Sequence, residues 1–326
     1  MAGFEPTAVS IDVSGVIDGD DTLSTAALVF EPTRLPPGTP TVVFAFPGGG
    51  YTKTYFDMEI PGYPGYSMAR YLADHGFIVV ACDNLGAGES SRPQPSSLLT
   101  WRAMVDANQA AVTAIMDQLR VGSLLTRTGP VHDCRLLGVG HSLGAGLVTT
   151  QQAVHGTFDA LVVLGRAIMG THIPAPPEDG GAEPTWKPGM LQRDEFEATS
   201  YLVDGYNYQP RRTPWQRYLF YWDDVPEAVL AADEAAGTTF PVEAARALAA
   251  RNGPNAQAAA AVRVPILLGF GERDVVRDPR AEVPAYQSAT DLQLIVVPRS
   301  AHCHNLASSR HWLWDRMIRW ANSVLQ

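Results

Sequence analysis

Six runs rich in valine, isoleucine and leucine, at residues 41–46, 77–82, 135–139, 160–164, 264–270 and 292–297, are the strongest constraint on how this chain can fold. Continuous apolar runs of that length suit strands covered on both faces. Between them lie amphipathic stretches at 66–75, 101–119, 143–155 and 311–325 whose apolar residues recur at helical spacing. Strand and helix alternate, so an α/β fold follows, with a mostly parallel sheet and helices on both faces. Two earlier segments, 8–13 and 24–30, read as antiparallel edge strands, giving roughly eight strands in all.

The alternation stops between Gly165 and Arg263, where a Pro/Gly-rich stretch at 173–189 leads into aromatic and then alanine-rich sequence. Structureless loops of that length are rare in compact domains, so residues 166–263 are expected to form an inserted, largely helical cap. Residues 1–165 and 264–326 then form the core domain. The alanine-rich part, 245–261, reads as helix broken at Gly253-Pro254.

Composition narrows the partners. Of 326 residues, 46% are hydrophobic and 18% charged, the balance of a chain with a substantial core. The net charge of −10, with no run of Lys or Arg, excludes a nucleic-acid partner. Met1-Ala2-Gly3-Phe4-Glu5-Pro6 lacks the basic start and apolar stretch of a signal peptide, and no segment is apolar for the length of a membrane span. The expectation is a cytoplasmic protein without a membrane partner; a homo-oligomer is compatible with the sequence. Cys82, Cys134 and Cys303 make an odd count without C-x-x-C spacing, so neither a disulfide framework nor a zinc site is expected and all three read as packing thiols.

Chemistry concentrates at Gly140-His141-Ser142-Leu143-Gly144, a G-x-S-x-G between an apolar strand and a helix-compatible segment. The pattern alone also arises as an ordinary glycine-rich turn. With strand before and helix after, it has the context that projects a serine hydroxyl above a sheet as a nucleophile. Such a serine needs a base, and the base an orienting acid. Both stand later in the chain. Asp274 or Glu272 follows the strand at 264–270, and His302 or His304 follows the strand at 292–297. His75, His132, His155, His172 and His311 read as solvated or hydrogen-bonding side chains, and His141 as part of a pocket floor.

An oxyanion requires backbone N–H donors, and Phe46-Pro47-Gly48-Gly49-Gly50-Tyr51 offers them directly after a core strand, where glycines let the backbone approach substrate. The expected donors are the amides of Gly49 and Leu143. No Gly-Lys-Ser/Thr follows the glycines, which argues against a nucleotide site. Neither a metal nor an organic cofactor is called for.

Taken in order, the glycine loop, Gly140-His141-Ser142-Leu143-Gly144, Asp274 and His302 resemble the α/β-hydrolase superfamily over nearly the whole chain outside the insertion. The resemblance implies Ser142 as nucleophile, Asp274 rather than Glu272 as acid, and His302 rather than His304 as base. Asp83-Asn84-Leu85-Gly86-Ala87-Gly88-Glu89-Ser90 is similar to a structural turn of that family. Pro47 departs from the lipase type, which often has His before its glycines, and Gly165-Arg166 provides no carboxylate at the alternative acid position after the sixth strand.

The insertion carries Tyr201, Tyr206, Tyr208, Trp215, Tyr218, Phe220, Tyr221 and Trp222. Aromatics this dense either fasten the insertion to the core or line a pocket. If they line it, Tyr51, His141, Trp215, Tyr218 and Trp222 would contact an apolar, medium-sized small-molecule substrate, and Arg211 and Arg212 could meet a carboxylate. The reaction expected is hydrolysis of an ester, lactone or thioester. The alternatives are carbon–carbon bond hydrolysis of a vinylogous diketone and, from another class, a ligand-binding protein on a hydrolase fold.

Overall fold

The computed structural model describes residues 5–19, 22–177, 183–188, 201–208, 214–249 and 254–325. Strands β1 (Thr7–Asp12), β2 (Ser24–Phe30) and β3 (Thr41–Phe46) are followed by a small hairpin, β4 (Met58–Ile60) and β5 (Tyr63–Tyr66), and then by β6 (Ile78–Cys82), β7 (Arg135–His141) and β8 (Ala160–Leu164). After the insertion come β13 (Ile266–Gly271) and β14 (Leu292–Val297). One eight-stranded sheet runs in the order β1-β2-β6-β3-β7-β8-β13-β14. Its β1/β2 and β2/β6 pairs are antiparallel and the other five parallel. The early strands are therefore antiparallel as expected, with β1 alone at the edge.

The pleat sends alternate side chains of β3 to opposite layers. Val42, Phe44 and Phe46 join one apolar core with α2 (Trp101–Arg120) and α3 (Leu143–His155), while Val43 and Ala45 join the other with α1 (Met68–Asp74) and the C-terminal helix Arg310–Val324. Each fully buried aliphatic side chain contributes about 1.5–3 kcal/mol, which is why both faces of the central strands read as apolar. Helix α2 starts where the Thr100 hydroxyl accepts from the Ala103 amide at 3.1 Å, and it buries Trp101, Met104, Val105, Val112, Ile115 and Leu119 along one stripe.

The insertion is less helical than its composition implies. Besides helices Pro214–Phe220, Glu227–Ala235, Val242–Ala249 and Pro254–Ala261, it contains two antiparallel hairpins, β9 (His172–Ala175) with β10 (Thr185–Pro188) and β11 (Tyr201–Val203) with β12 (Tyr206–Tyr208). Three- and four-residue strands are too short for alternation to register. Asp204-Gly205, both at positive φ (49° and 80°), was the legible signal, since two left-handed residues make a tight hairpin turn. None of these strands joins the main sheet, in keeping with the missing core strand in the sequence. The two alanine-rich helices flank the expected break, whose Gly253 lies outside the described residues. Tyr221, Val229 and Leu230 enter one apolar core of the sheet, and Tyr206, Ala244 and Ala259 the other.

Of the cysteines, Cys82 and Cys303 are buried, but Cys134 is only half-buried, because the residue just before β7 sits at the sheet's rim. Among the described residues no helix is long and apolar enough to cross a membrane.

Candidate active site

Strand β7 ends at His141 and α3 begins at Leu143, leaving Ser142 alone in the turn at φ 52°, ψ −110°. A non-glycine residue at positive φ is strained and persists only where its surroundings fix it. Here the Ser142 amide donates to the carbonyl of Leu164 at the end of β8, 2.8 Å away. The flanking glycines allow the close approach. A Cβ at Gly140 would lie 2.5 Å from the Ala145 nitrogen, and one at Gly144 would overlap the Phe46 carbonyl and lie 2.6 Å from the Pro47 oxygen. Because backbone rather than a flexible side chain occupies that space, Gly144→Ala is expected to destabilise the fold by about 3 kcal/mol, the upper end of overpacking costs. Urea unfolding measures this; an unchanged midpoint would contradict the packing described.

Asp274, three residues past β13, is fully buried and accepts four hydrogen bonds. Its Oδ1 accepts from His302 Nδ1 at 2.6 Å and from the Val275 amide at 2.7 Å; its Oδ2 accepts from His304 Nε2 at 2.9 Å and from the Gly271 amide at 2.8 Å. Burial alone would push this carboxyl up, but the attraction of His302, which holds when that imidazole is protonated, its N–H and the N–H of His304 outweigh it and hold the carboxyl well below the usual carboxylate range. With Nδ1–H given to the carboxylate, His302 keeps the lone pair on Nε2, the form a general base needs. Glu272 is exposed and accepts from the Arg299 amide at 2.8 Å, away from either imidazole. His304 is not a second candidate base in the open, because it is completely buried on the far oxygen of the same acid.

His302 is held from two sides. The His302 amide donates to the Leu219 carbonyl at 3.0 Å and the Cys303 amide to that of Phe220 at 2.9 Å, so the helix Pro214–Phe220 of the insertion pins the loop. The Phe220 ring lies 5.7 Å from that of His302. Beneath, Gly165 at φ +60° packs so closely that a Cβ there would meet His302 and His304 at 3.0 and 3.1 Å.

The glycine loop sits beside the serine. A Cβ on Gly48 would be 3.2 Å from that of Ser142, and one on Gly49 would be 3.8 Å from the Leu143 side chain and 3.6 Å from the Phe240 ring. The Leu143 amide, first in α3, has no acceptor within its helix, as the geometry of helix ends dictates. Asn84 fixes the loop by donating Nδ2–H to the Pro47 carbonyl at 3.0 Å. Asp83, in the adjoining turn, accepts from the Lys53 and Glu89 amides and from Lys53 Nζ, a structural role in keeping with the sequence reading.

His141 is buried beneath these groups. Its Nε2 donates to the carbonyl of His302 at 2.8 Å, and its ring stacks on Tyr55 with centroids 4.7 Å apart. Burial, reinforced by His302 and His304, pushes its imidazole well below the usual histidine range, so it stays neutral. Tyr51 is buried as well; its hydroxyl donates to Asp233 at 3.1 Å and lies 2.8 Å from Cys303 Sγ, while Tyr221 donates to the same carboxylate oxygen at 2.6 Å. Cys303 thus has a polar neighbour that a packing thiol would not require.

The expected substrate-lining aromatics have other neighbours. Tyr218 and Trp222 cover the Arg273 guanidinium, 3.6 and 4.8 Å from their ring centroids, and Arg273 donates to the Tyr221 carbonyl at 2.7 Å and to Asp223 at 2.9 Å. This clamp fastens the insertion next to Asp274, the first of the two uses open to aromatics in the sequence. Trp215 is half-buried. Arg211 and Arg212 lie outside the described residues. Phe240 and Asn84 escaped the sequence reading, the first because it is a lone aromatic in a loop and the second because its role depends on a carbonyl 37 residues away. Among the described residues no group of three His, Cys, Asp or Glu side chains could hold a metal ion.

The family model described as "Alpha/beta hydrolase family" matches residues 42–316. No curated protein matches in sequence. Among solved structures, a thermophilic esterase from Thermogutta terrifontis superposes with a TM-score of 0.62 at 14% identity, covering 98% of this chain and 100% of that one. The carboxylesterase CesB from Bacillus subtilis gives 0.60 at 14%, covering 98% and 93%. A thioesterase domain from the curacin biosynthetic pathway gives 0.55 at 15%, covering 97% and 100%. At these identities the likeness is one of fold.

Proposed function

The chain belongs to the alpha/beta hydrolase family, and from that premise we propose that it cleaves a carboxylic ester, lactone or thioester of an apolar, medium-sized substrate through an acyl-enzyme on Ser142. The observation that carries this reading is the buried Asp274–His302 pair at 2.6 Å, which leaves His302 with a lone pair on Nε2 in a chain whose elbow serine stands at positive φ. Ser142 Oγ attacks the carbonyl as His302 takes its proton. Charge developing on the carbonyl oxygen is met by the amides of Leu143 and Gly49, donors of a kind each worth about 2.7–4 kcal/mol. His302 then protonates the departing alcohol or thiol, and water, activated by the same imidazole, releases the acid.

Residues 166–263 act in this scheme as a cap. Phe240 against Gly49 and Phe220 against His302 place apolar rings beside the reacting groups, which supports an apolar substrate. The esterase and thioesterase structures that share the fold support the ester-like class.

Steady-state assay with short p-nitrophenyl esters tests the proposal. Turnover with a nitrophenolate burst equal to the enzyme concentration is expected. Poor ester turnover together with decay of a coloured dienol would move the assignment to carbon–carbon bond hydrolysis, and binding without turnover to a ligand-binding protein.

A further inference from the structure

A triad needs one oxygen of its acid to face the base, yet the second oxygen of Asp274 carries a second imidazole. His304 Nε2 lies 2.9 Å from Asp274 Oδ2, His302 Nδ1 lies 2.6 Å from Oδ1, and a backbone amide completes each side. His304 is fully buried and its Nδ1 has no hydrogen-bond partner. Burying an imidazole with an unpaired polar atom opposes folding, and this is offset by the N–H that His304 gives to the buried carboxylate, a bond to a charged group worth about 1.5–3 kcal/mol. The side chain's polar contact is thus with the acid that also holds His302.

We propose that His304 is a positioning residue, a fixed neutral N–H donor that shares the charge of Asp274 with His302 and so sets the pH above which His302 serves as the base. The inference rests on the serine-hydrolase reading above. The carboxylate accepts only, so Nε2 of His304 carries the proton and Nδ1 is left as a bare lone pair. A second proton, on Nδ1, would create a buried N–H without an acceptor. The charged and titratable groups around His304 point the same way. Asp274 is its hydrogen-bond acceptor, while His141 and His302 face it with ring centroids 5.5 and 6.3 Å away. Cys303 precedes it in the chain, with its sulfur toward Tyr51, and Tyr55 stacks on the other side of His141. Arg273 is turned outward to Asp223, and the backbone of Gly165 closes the remaining side.

Charge sharing gives the effect its sign. An N–H on Oδ2 lowers the negative charge available to His302 through Oδ1, and so weakens the carboxylate's preference for a protonated imidazole. Removing that N–H restores the preference. In His304→Leu the acid limb of kcat/KM for a p-nitrophenyl ester is therefore expected to move up by about half a unit to one unit, a fraction of the strength of a hydrogen bond to a charged group. His304→Gln, whose amide N–H reaches as far as Nε2, is expected to return the limb to the wild-type position.

The full chain is examined in parallel by proton NMR of the downfield imidazole N–H resonances, which needs no turnover. Wild type should give two such resonances at Asp274, and the remaining one in the leucine variant should titrate at higher pH than in the glutamine variant. Equal shifts in both variants, or a shift in neither, would overturn the proposal. If the leucine variant does not fold, His304→Asn replaces it, because its amide is one methylene too short to reach Oδ2 and must shift the limb where glutamine does not. Failure of the hydrolase reading would appear separately, as absent or Ser142-independent ester turnover with the NMR titrations unchanged.

Discussion

Ser142→Ala is expected to lower kcat on a p-nitrophenyl ester by about 10⁵–10⁶-fold, the loss seen when the nucleophile of an acyl-enzyme mechanism is deleted. The reason is local. The turn between β7 and α3 exposes one hydroxyl, and the neighbouring His141 is neutral, buried and committed to the His302 carbonyl. No second nucleophile stands at that place. Residual acceleration of about 10³–10⁴ over water should persist, because the glycine loop and the first amide of α3 are untouched. The change removes one oxygen from a half-buried residue and leaves its backbone bond to Leu164 in place, so stability should move by no more than about 0.5 kcal/mol. A variant that lost stability as well as activity would point to a structural serine.

Asp274→Asn is expected to lower kcat by about 10⁴-fold and, unlike the serine change, to destabilise the fold. Each oxygen of Asp274 accepts from one imidazole and one backbone amide. Whichever way an asparagine turned, its NH₂ would meet two donors. Facing Oδ1's partners it would force His302 into the tautomer with its proton on Nε2, which cannot take the proton of Ser142. Facing Oδ2's partners it would leave the Gly271 amide unpaired in the core and drive His304 to the other tautomer. One buried donor left without an acceptor costs about 1–3 kcal/mol, so thermal unfolding and kcat should fall together. A loss below tenfold in kcat would show that Asp274 does not orient the base.

Much of this arrangement is legible in the residues themselves. The strands at 24–30, 41–46, 160–164 and 292–297 coincide with the sheet; 41–46 and 160–164 are almost wholly apolar because both their faces are covered, whereas 292–297 is an edge strand that stays partly exposed despite its largely apolar sequence. The elbow is equally plain, since Gly140 and Gly144 are required by backbone atoms that any such strand–turn–helix brings together. Preferring Asp274 to Glu272 depended on family resemblance; in the structure the loop after β13 turns residue 274 inward, where it accepts from the Gly271 amide, and leaves residue 272 exposed. The joint use of His302 and His304 could not be read from their spacing. Residues i and i+2 share a face only in a strand, and these two histidines follow β14 in an irregular loop, whose course brings both rings to one carboxylate.

The insertion was the least legible part. Its aromatics announced packing or binding without saying which, because Tyr218 and Trp222 act on Arg273, a residue more than 50 positions further along the chain. Its short hairpins fall below the length at which alternation registers, and Phe240 reaches Gly49 only through the fold.

The most direct test of the acyl-enzyme account is fluorophosphonate labelling of the purified full chain followed by peptide mass spectrometry, with Ser142→Ala alongside. The account predicts one phosphonyl group per chain, on Ser142, and none on the variant. A label on another residue, or equal labelling of both proteins, would contradict it.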